Sequence, residues 1–393
     1  MTKTAALIPV ARPLLGEPEA DAARRAILSG WVTQGPEVAA FEREFAAAVG
    51  AAHACAVSSC TAALHVALAA CGIGPGDEVV TVSHSFIATA NAVRYCGATP
   101  VFVDIELDTF NIDPALVERA IGPRTKAILA VHQLGMPCAI ELIAVLGRRH
   151  GLTVIEDAAC AVGSEIRAGD RWERIGRPHA DVACFSFHPR KLLSTGDGGM
   201  LTTAEETLDA RFRLLRQHGM SVPDTVRHHA PEVVFEQYPV VGFNYRMTDI
   251  QAAIGREQLK RLPAIVARRR ALAARYDAAL QARPGILTPV EPSWARSNWQ
   301  SYAIRVAGDR QRAIMQRLLD EGISTRRGVM NAHRAAAYPP HAWRAGNRAS
   351  AGSPLPRSEE AQETAVVLPL FHDLSEADQD RVIDAVIRAA GNG

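Results

Sequence analysis

The chain has 393 residues, 48% of them hydrophobic, and carries 43 basic against 42 acidic side chains for a formal net charge of +1. That balance removes the electrostatic term that dominates nucleic-acid binding, and no window approaches the roughly 18 to 20 consecutive apolar residues of a membrane span, so neither partner is expected. The length exceeds the usual size of one hydrophobic core and predicts a large domain joined to a smaller one.

In chain order, residues 36–49 place apolar side chains at 38, 41, 45 and 49 and stop at Gly50, the pattern of an amphipathic helix with a glycine C-cap. From about 50 to 250, short β-branched runs alternate with helical stretches. Strands are predicted at 78–82, 100–104, 127–131, 153–156, 182–187 and 200–203, mostly as continuous apolar runs of the kind buried on both faces. Between them, Asp113-Pro114 marks a helix start. The fold class is therefore α/β, a mostly parallel sheet covered by helices. Thr248-Asp249-Ile250-Gln251 is a capping box opening a long helix, kinked at Pro263 and ending near Leu280. A strand at 302–306, a helix at 310–320, a strand at 323–326 and a last helix from 375 to about 390 follow. Segment 328–360, rich in proline, reads as an irregular loop or excursion. The division expected is 1–255, an N-terminal arm and large domain, and 256–393, a smaller α/β domain, with the long helix between them.

Seven cysteines without a CxxC pair suit free thiols in a reducing cytoplasm, and residues 1–12 lack a basic start followed by an apolar core, so a cytoplasmic location is expected. The histidines show no HExxH spacing and no metal site is expected. Three segments carry chemistry. Ser58-Ser59-Cys60-Thr61 opens a helix, where free amides and the helix dipole favour an anion such as phosphate. Glu156-Asp157 ends an apolar strand, and a carboxylate there faces the crevice in which α/β sheets bind ligands. Lys191 follows a strand and Ser186/His188 and precedes a glycine turn. Only four of the 43 basic residues are lysines, Lys3, Lys126, Lys191 and Lys260, so a lysine beside such signatures is a candidate for what arginine cannot do: lose a proton when partly buried and attack a carbonyl to form a Schiff base. A phosphate cradle, a carboxylate for a pyridinium nitrogen and an imine-forming amine are the requirements of pyridoxal 5′-phosphate (PLP). Phe86 could stack on its ring. Cys60 at a helix N-terminus also admits a second reading, a thiolate nucleophile with a pKa lowered by the dipole.

The sequence resembles the DegT/StrS family of PLP-dependent sugar aminotransferases, fold type I, through segments 29–36, 58–64, 97–104, 156–159, 186–199, Gly242-Phe243-Asn244-Tyr245-Arg246-Met247 and 368–370. The resemblance implies Lys191 as the Schiff-base lysine and proton carrier and Asp157 as the ring-nitrogen partner. It further implies Ser186, Thr61 and the Cys60 amide at the phosphate, His188 nearby, Phe86 on the ring, and Asn244 reaching the cofactor of the partner subunit in a homodimer. Trp31, Arg246, Arg326 and His333 are the candidates for substrate. Cys160, counted among the cofactor-binding residues at the ring-hydroxyl side, departs from the family, standing where glutamine or histidine is common, as does segment 325–333. The activity implied is amino transfer from L-glutamate or L-glutamine to a keto-sugar, most simply nucleotide-linked. The alternatives are a keto-cyclitol acceptor, a sugar dehydratase, which Lys191 argues against since such relatives carry histidine there, and a non-catalytic PLP-binding regulator.

Overall fold

The computed structural model describes residues 7–222, 227, 230–346 and 352–391, which leaves Lys3 outside. Its strands are β1 (His53–Val57), β2 (Glu78–Val82), β3 (Thr99–Val103), β4 (Thr125–Val131), β5 (Thr153–Asp157), β6 (Glu165–Ala168), β7 (Arg171–Arg174), β8 (Val182–Ser186), β9 (Gly199–Thr203), β10 (Ala295–Arg296), β11 (Tyr302–Arg305), β12 (Arg326–Arg327), β13 (Arg344–Ala345) and β14 (Ala365–Leu368). The six strands predicted between residues 50 and 250 form with ends displaced by at most two residues, the one predicted at 302–306 forms as β11, and the one predicted at 323–326 is shifted to the short β12. The large sheet has the order β1-β9-β8-β5-β4-β2-β3-β13. It is parallel from β8 through β13, while β9 runs antiparallel to both of its neighbours. Because β2, β5 and β8 point the same way, the residues just past them share one crevice.

Two parts of the sheet differ from expectation. β1, His53-Ala54-Cys55-Ala56-Val57, has too few β-branched residues to announce a strand; tertiary pairing with β9 makes it one. Its Ala56 amide donates to the buried Glu42 carboxylate at 2.9 Å, which also receives Arg213 at 2.7 Å and Arg216. Burial alone would raise the pKa of Glu42, but the two guanidinium groups bring it below the ordinary value. This cluster ties the Pro36–Val49 helix to β1 and to the Glu206–Arg216 helix. The second difference is segment 328–360. Instead of a free excursion it supplies β13, which extends the large sheet beyond β3, and most of the Pro356–Thr364 helix. Arg344 anchors it by donating to Glu78 (2.8 Å) and to the Ala120 carbonyl (3.0 Å). Gly346 lets the backbone pass: a Cβ there would lie 2.6 Å from Val103 and 2.7 Å from Ala120.

The Asp249–Leu280 helix begins with the predicted capping box and remains helical across Pro263. Its first part buries Ala252, Leu262, Ile265 and Val266 in the core that packs on the large sheet. Its second part buries Leu272, Ala273, Tyr276 and Leu280 against Tyr302, Ile304 and Val386 of the smaller core. There an antiparallel β11-β14-β12 sheet packs with the Glu376–Gly391 helix. No helix among the described residues is long and apolar enough to cross a membrane.

Candidate active site

Asp157 is the last residue of β5 and is buried. Its Oδ2 accepts from Thr89 Oγ1 at 2.7 Å, Thr89 in turn lies 2.7 Å from Ser85 Oγ, and its Oδ1 accepts from the Ala159 amide at 3.2 Å. These donors fix the plane of the carboxylate while leaving acceptor capacity for one more N–H. Glu156 points to the other face of the sheet, where buried His132 Nε2 lies 2.9 Å away. Phe86 follows Ser85 in the same loop and is 65% exposed. That exposure excludes a core role for the ring.

Lys191 sits in the turn after β8. Its amide donates to the His188 carbonyl at 2.8 Å, and its partly buried side chain brings Nζ to 3.0 Å from Cys160 Sγ. Burial works against the charged amine. The Cys160 thiol, and beyond it Cys60 and Asp157, outweigh burial and hold Lys191 above the ordinary lysine value. This corrects the expectation that partial burial would favour the neutral amine: the negative and polarisable neighbours, not desolvation, decide the sign.

The turn is fastened from three directions. Gln251 Nε2 donates to Asp197 O at 2.8 Å, Gln258 Oε1 accepts from the Ser194 amide at 3.3 Å, and Gln300 Nε2 donates to Arg190 O at 2.9 Å. Asn298 Nδ2 donates to the carbonyls of Cys160 and Val162, both at 2.8 Å. Sequence reasoning missed Thr89, Gln258, Asn298 and Gln300. Gln258, a fully buried amide on the apolar face of the long helix, carried a readable signal, since a polar side chain there needs partners. Thr89, Asn298 and Gln300 carried none.

The candidate anion site lies where β9 meets the Cys60–Ala70 helix. Ser59 caps the helix by accepting from the Ala62 amide at 3.1 Å. Helix geometry leaves the Cys60 and Thr61 amides without intrahelical acceptors. Gly199, paired with Ser186 across β8 and β9, approaches so closely that a Cβ would lie 2.5 Å from the Ser59 carbonyl carbon and 2.7 Å from the Cys60 nitrogen. The missing side chain thus brings Ser186 beside the first-turn amides. Ser186 Oγ accepts from the His188 amide at 3.4 Å, and Thr61 is partly exposed in the same turn. Cys60 itself is buried. Desolvation first, and the Asp157 charge second, push its thiol well above the ordinary value. The thiolate-nucleophile reading is thereby corrected, burial overriding the helix dipole.

The remaining candidates lie in other networks. Asn244 is exposed, bridged to Gln217, and the neighbouring Tyr245 carbonyl accepts from the Ser58 amide at 2.7 Å. Arg246 is partly buried and bridges Val57. Trp31 packs on Gly35, its Nε1 donating to Gln34 O at 3.1 Å. Arg326 is exposed on β12. His333 has both ring nitrogens engaged, Nδ1 with Ser83 Oγ at 2.7 Å and Nε2 with Glu359 at 3.0 Å.

Lys191 thus has Cys160, Cys60 and Asp157 as neighbours, and an amine, a carboxylate and free first-turn amides are a donor set that fits a phosphorylated pyridine aldehyde. Comparison with known proteins agrees. The DegT/DnrJ/EryC1/StrS aminotransferase family matches residues 13–387. The spore coat polysaccharide biosynthesis protein SpsC of Bacillus subtilis is 40% identical over 384 residues, 96% of either chain. The aminotransferase TlmJ of Streptoalloteichus hindustanus superposes with a TM-score of 0.88 at 36% identity over 98% of this chain and 99% of its own. Spr1654 of Streptococcus pneumoniae, whose structures include PMP and PLP forms, gives in the PMP form a TM-score of 0.89 at 26% identity over 98% and 99%.

Proposed function

The chain belongs to the DegT/DnrJ/EryC1/StrS aminotransferase family of PLP-dependent sugar aminotransferases, and from that premise we propose that it transfers the amino group of L-glutamate or L-glutamine to a nucleotide-linked keto-sugar. The observation that carries the reading is the convergence of the Lys191 amine and the Asp157 carboxylate beside the Ser186, Cys60 and Thr61 cradle. SpsC, by its name a polysaccharide biosynthesis protein, supports a sugar acceptor.

When bound, PLP supplies a carbonyl for amine capture and a ring that withdraws electrons from the substrate carbon. The protein supplies the rest. Asp157, oriented by Ser85 and Thr89, would hold the ring nitrogen protonated. Ser186 and the amides of Cys60 and Thr61 would hold the phosphate, and Phe86 would cover one ring face. Lys191 would be the amine that captures that carbonyl and, as general acid and base, would hold and move a proton at its Nζ. Arg246 and Arg326 are proposed for anionic groups of the substrates. Trp31 and His333 would shape the acceptor site.

The test is a half-reaction cycle. L-Glutamate or L-glutamine added to the PLP-loaded protein should abolish the borohydride-reducible visible absorbance and release the 2-oxo acid. A nucleotide-linked keto-sugar should then restore it. Restoration by keto-cyclitols alone would replace the acceptor, and no response to either donor would contradict the reading in favour of a regulator.

We further propose a homodimer with shared sites. Val233, Phe235 and Val241, each more than 80% exposed, precede exposed Asn244 in the chain, and large apolar side chains left open in this way suit a subunit interface. Lys191→Ala and Asn244→Ala protomers, inactive separately, should regain about a quarter of wild-type activity when mixed at equal amounts, because half of the dimers then carry one intact site. Verified heterodimers without activity would count against shared sites.

A further inference from the structure

Where the family commonly places glutamine or histidine, this chain places a thiol within hydrogen-bond distance of the reactive amine. Cys160 follows β5 by three residues, its carbonyl is clamped by the fully buried Asn298, and its sulfur lies 3.0 Å from Lys191 Nζ. Asn298 reaches that carbonyl because Gly135 makes room: a Cβ at Gly135 would fall 2.1 Å from Asn298 Oδ1. The thiol is thus a held neighbour of the amine, fixed by residues from both domains.

We propose that Cys160 is the proton partner of Lys191, sharing one proton with the amine and thereby setting how readily the free amine attacks a carbonyl. The assignment rests on the reading of Lys191 given above. The step is a proton transfer alone: the proton on sulfur moves to Nζ, leaving a thiolate beside an ammonium, and returns by the same path, with no bond to carbon changed and no electron removed. The other ionisable groups facing Nζ are Cys60 at the head of its helix and Asp157 at the end of β5. Cys60 is buried and reluctant to ionise, and Asp157 is engaged by Thr89 and the Ala159 amide. Cys160 is the one in hydrogen-bond contact with the amine. The consequence is counterintuitive. A side chain in the site slows capture of the cofactor near neutral pH by keeping the amine charged, and in exchange gives the released lysine a partner that can accept or return its proton.

The experiment follows the rate at which borohydride-reducible absorbance appears when PLP is added to cofactor-free protein, from neutral to alkaline pH, in wild type, Cys160→Ala, Cys160→Ser and Cys160→Asp. Only the uncharged amine attacks. Removing the partner lowers the amine pKa, so the rising limb of the profile moves to lower pH in the alanine and serine variants. Near neutrality capture becomes about three- to tenfold faster, tenfold corresponding to one pH unit, while all rates converge at alkaline pH. Serine keeps the shape of the site but not an acidic proton, so it should behave as alanine does. Aspartate restores an anionic partner and should return the wild-type profile. Each variant reaching the same final absorbance shows that the site is intact. Four superimposable profiles with normal final absorbance would overturn the role of Cys160 alone. No reducible absorbance in wild type at any pH would overturn the assignment of Lys191 and this one together.

Discussion

Lys191→Ala should abolish amino transfer, lowering turnover by at least about 10⁴-fold, because one residue supplies both the covalent amine and the general acid and base. Lys191→Arg should be equally inactive. Arginine keeps the positive charge beside Cys160, but a guanidinium does not give up its proton in a protein and forms no imine under these conditions. The comparison therefore separates charge from chemistry. Neither variant should unfold the protein, since the side chain contributes a single hydrogen bond, to Cys160, and the turn is held by Gln251, Gln258 and Gln300. Steady-state rates alongside thermal melting would check both halves. An arginine variant within tenfold of wild type would exclude imine chemistry at this position.

The second large effect is expected at Asp157. Asp157→Asn retains the shape of the side chain and an acceptor for Thr89, so β5 and its loop should stay in place. What it loses is the negative charge that keeps a ring nitrogen protonated. Removing one preorganised electrostatic group from an active site costs about 10²- to 10³-fold in kcat, and that is the loss expected here, with PLP still captured by Lys191. Thr89 works through Asp157 and should give a smaller effect. A kcat for Asp157→Asn within threefold of wild type would remove the carboxylate from the mechanism.

Much of this was legible in the sequence, for physical reasons that differ by element. Strands buried on both faces, such as β4 and β5, appear as unbroken apolar runs because both faces need apolar residues. Lys191 was conspicuous because arginine serves nearly everywhere else in the chain. Gly199, in the glycine turn, was visible as a motif, but its reason, the 2.5 Å approach to Ser59, exists only in three dimensions. β1 was hidden by its alanines, and β13 because two residues of strand inside a proline-rich segment are created by pairing with β3, not by propensity. The charge state of the site was the least accessible. At both Cys60 and Lys191 the sign of the pKa shift ran opposite to expectation. A thiol at a helix N-terminus was outweighed by burial, and a partly buried amine by its neighbours.

Imine chemistry at Lys191 is tested most directly by borohydride reduction of the PLP-loaded protein followed by peptide mass mapping. With only four lysines in the chain, every lysine attachment point can be read. The reduced cofactor mass is expected on the Lys191 peptide and on no other, and is expected to be absent from Lys191→Ala. Label on Lys3, Lys126 or Lys260, or reduction that leaves the Lys191 peptide unmodified, would contradict that assignment.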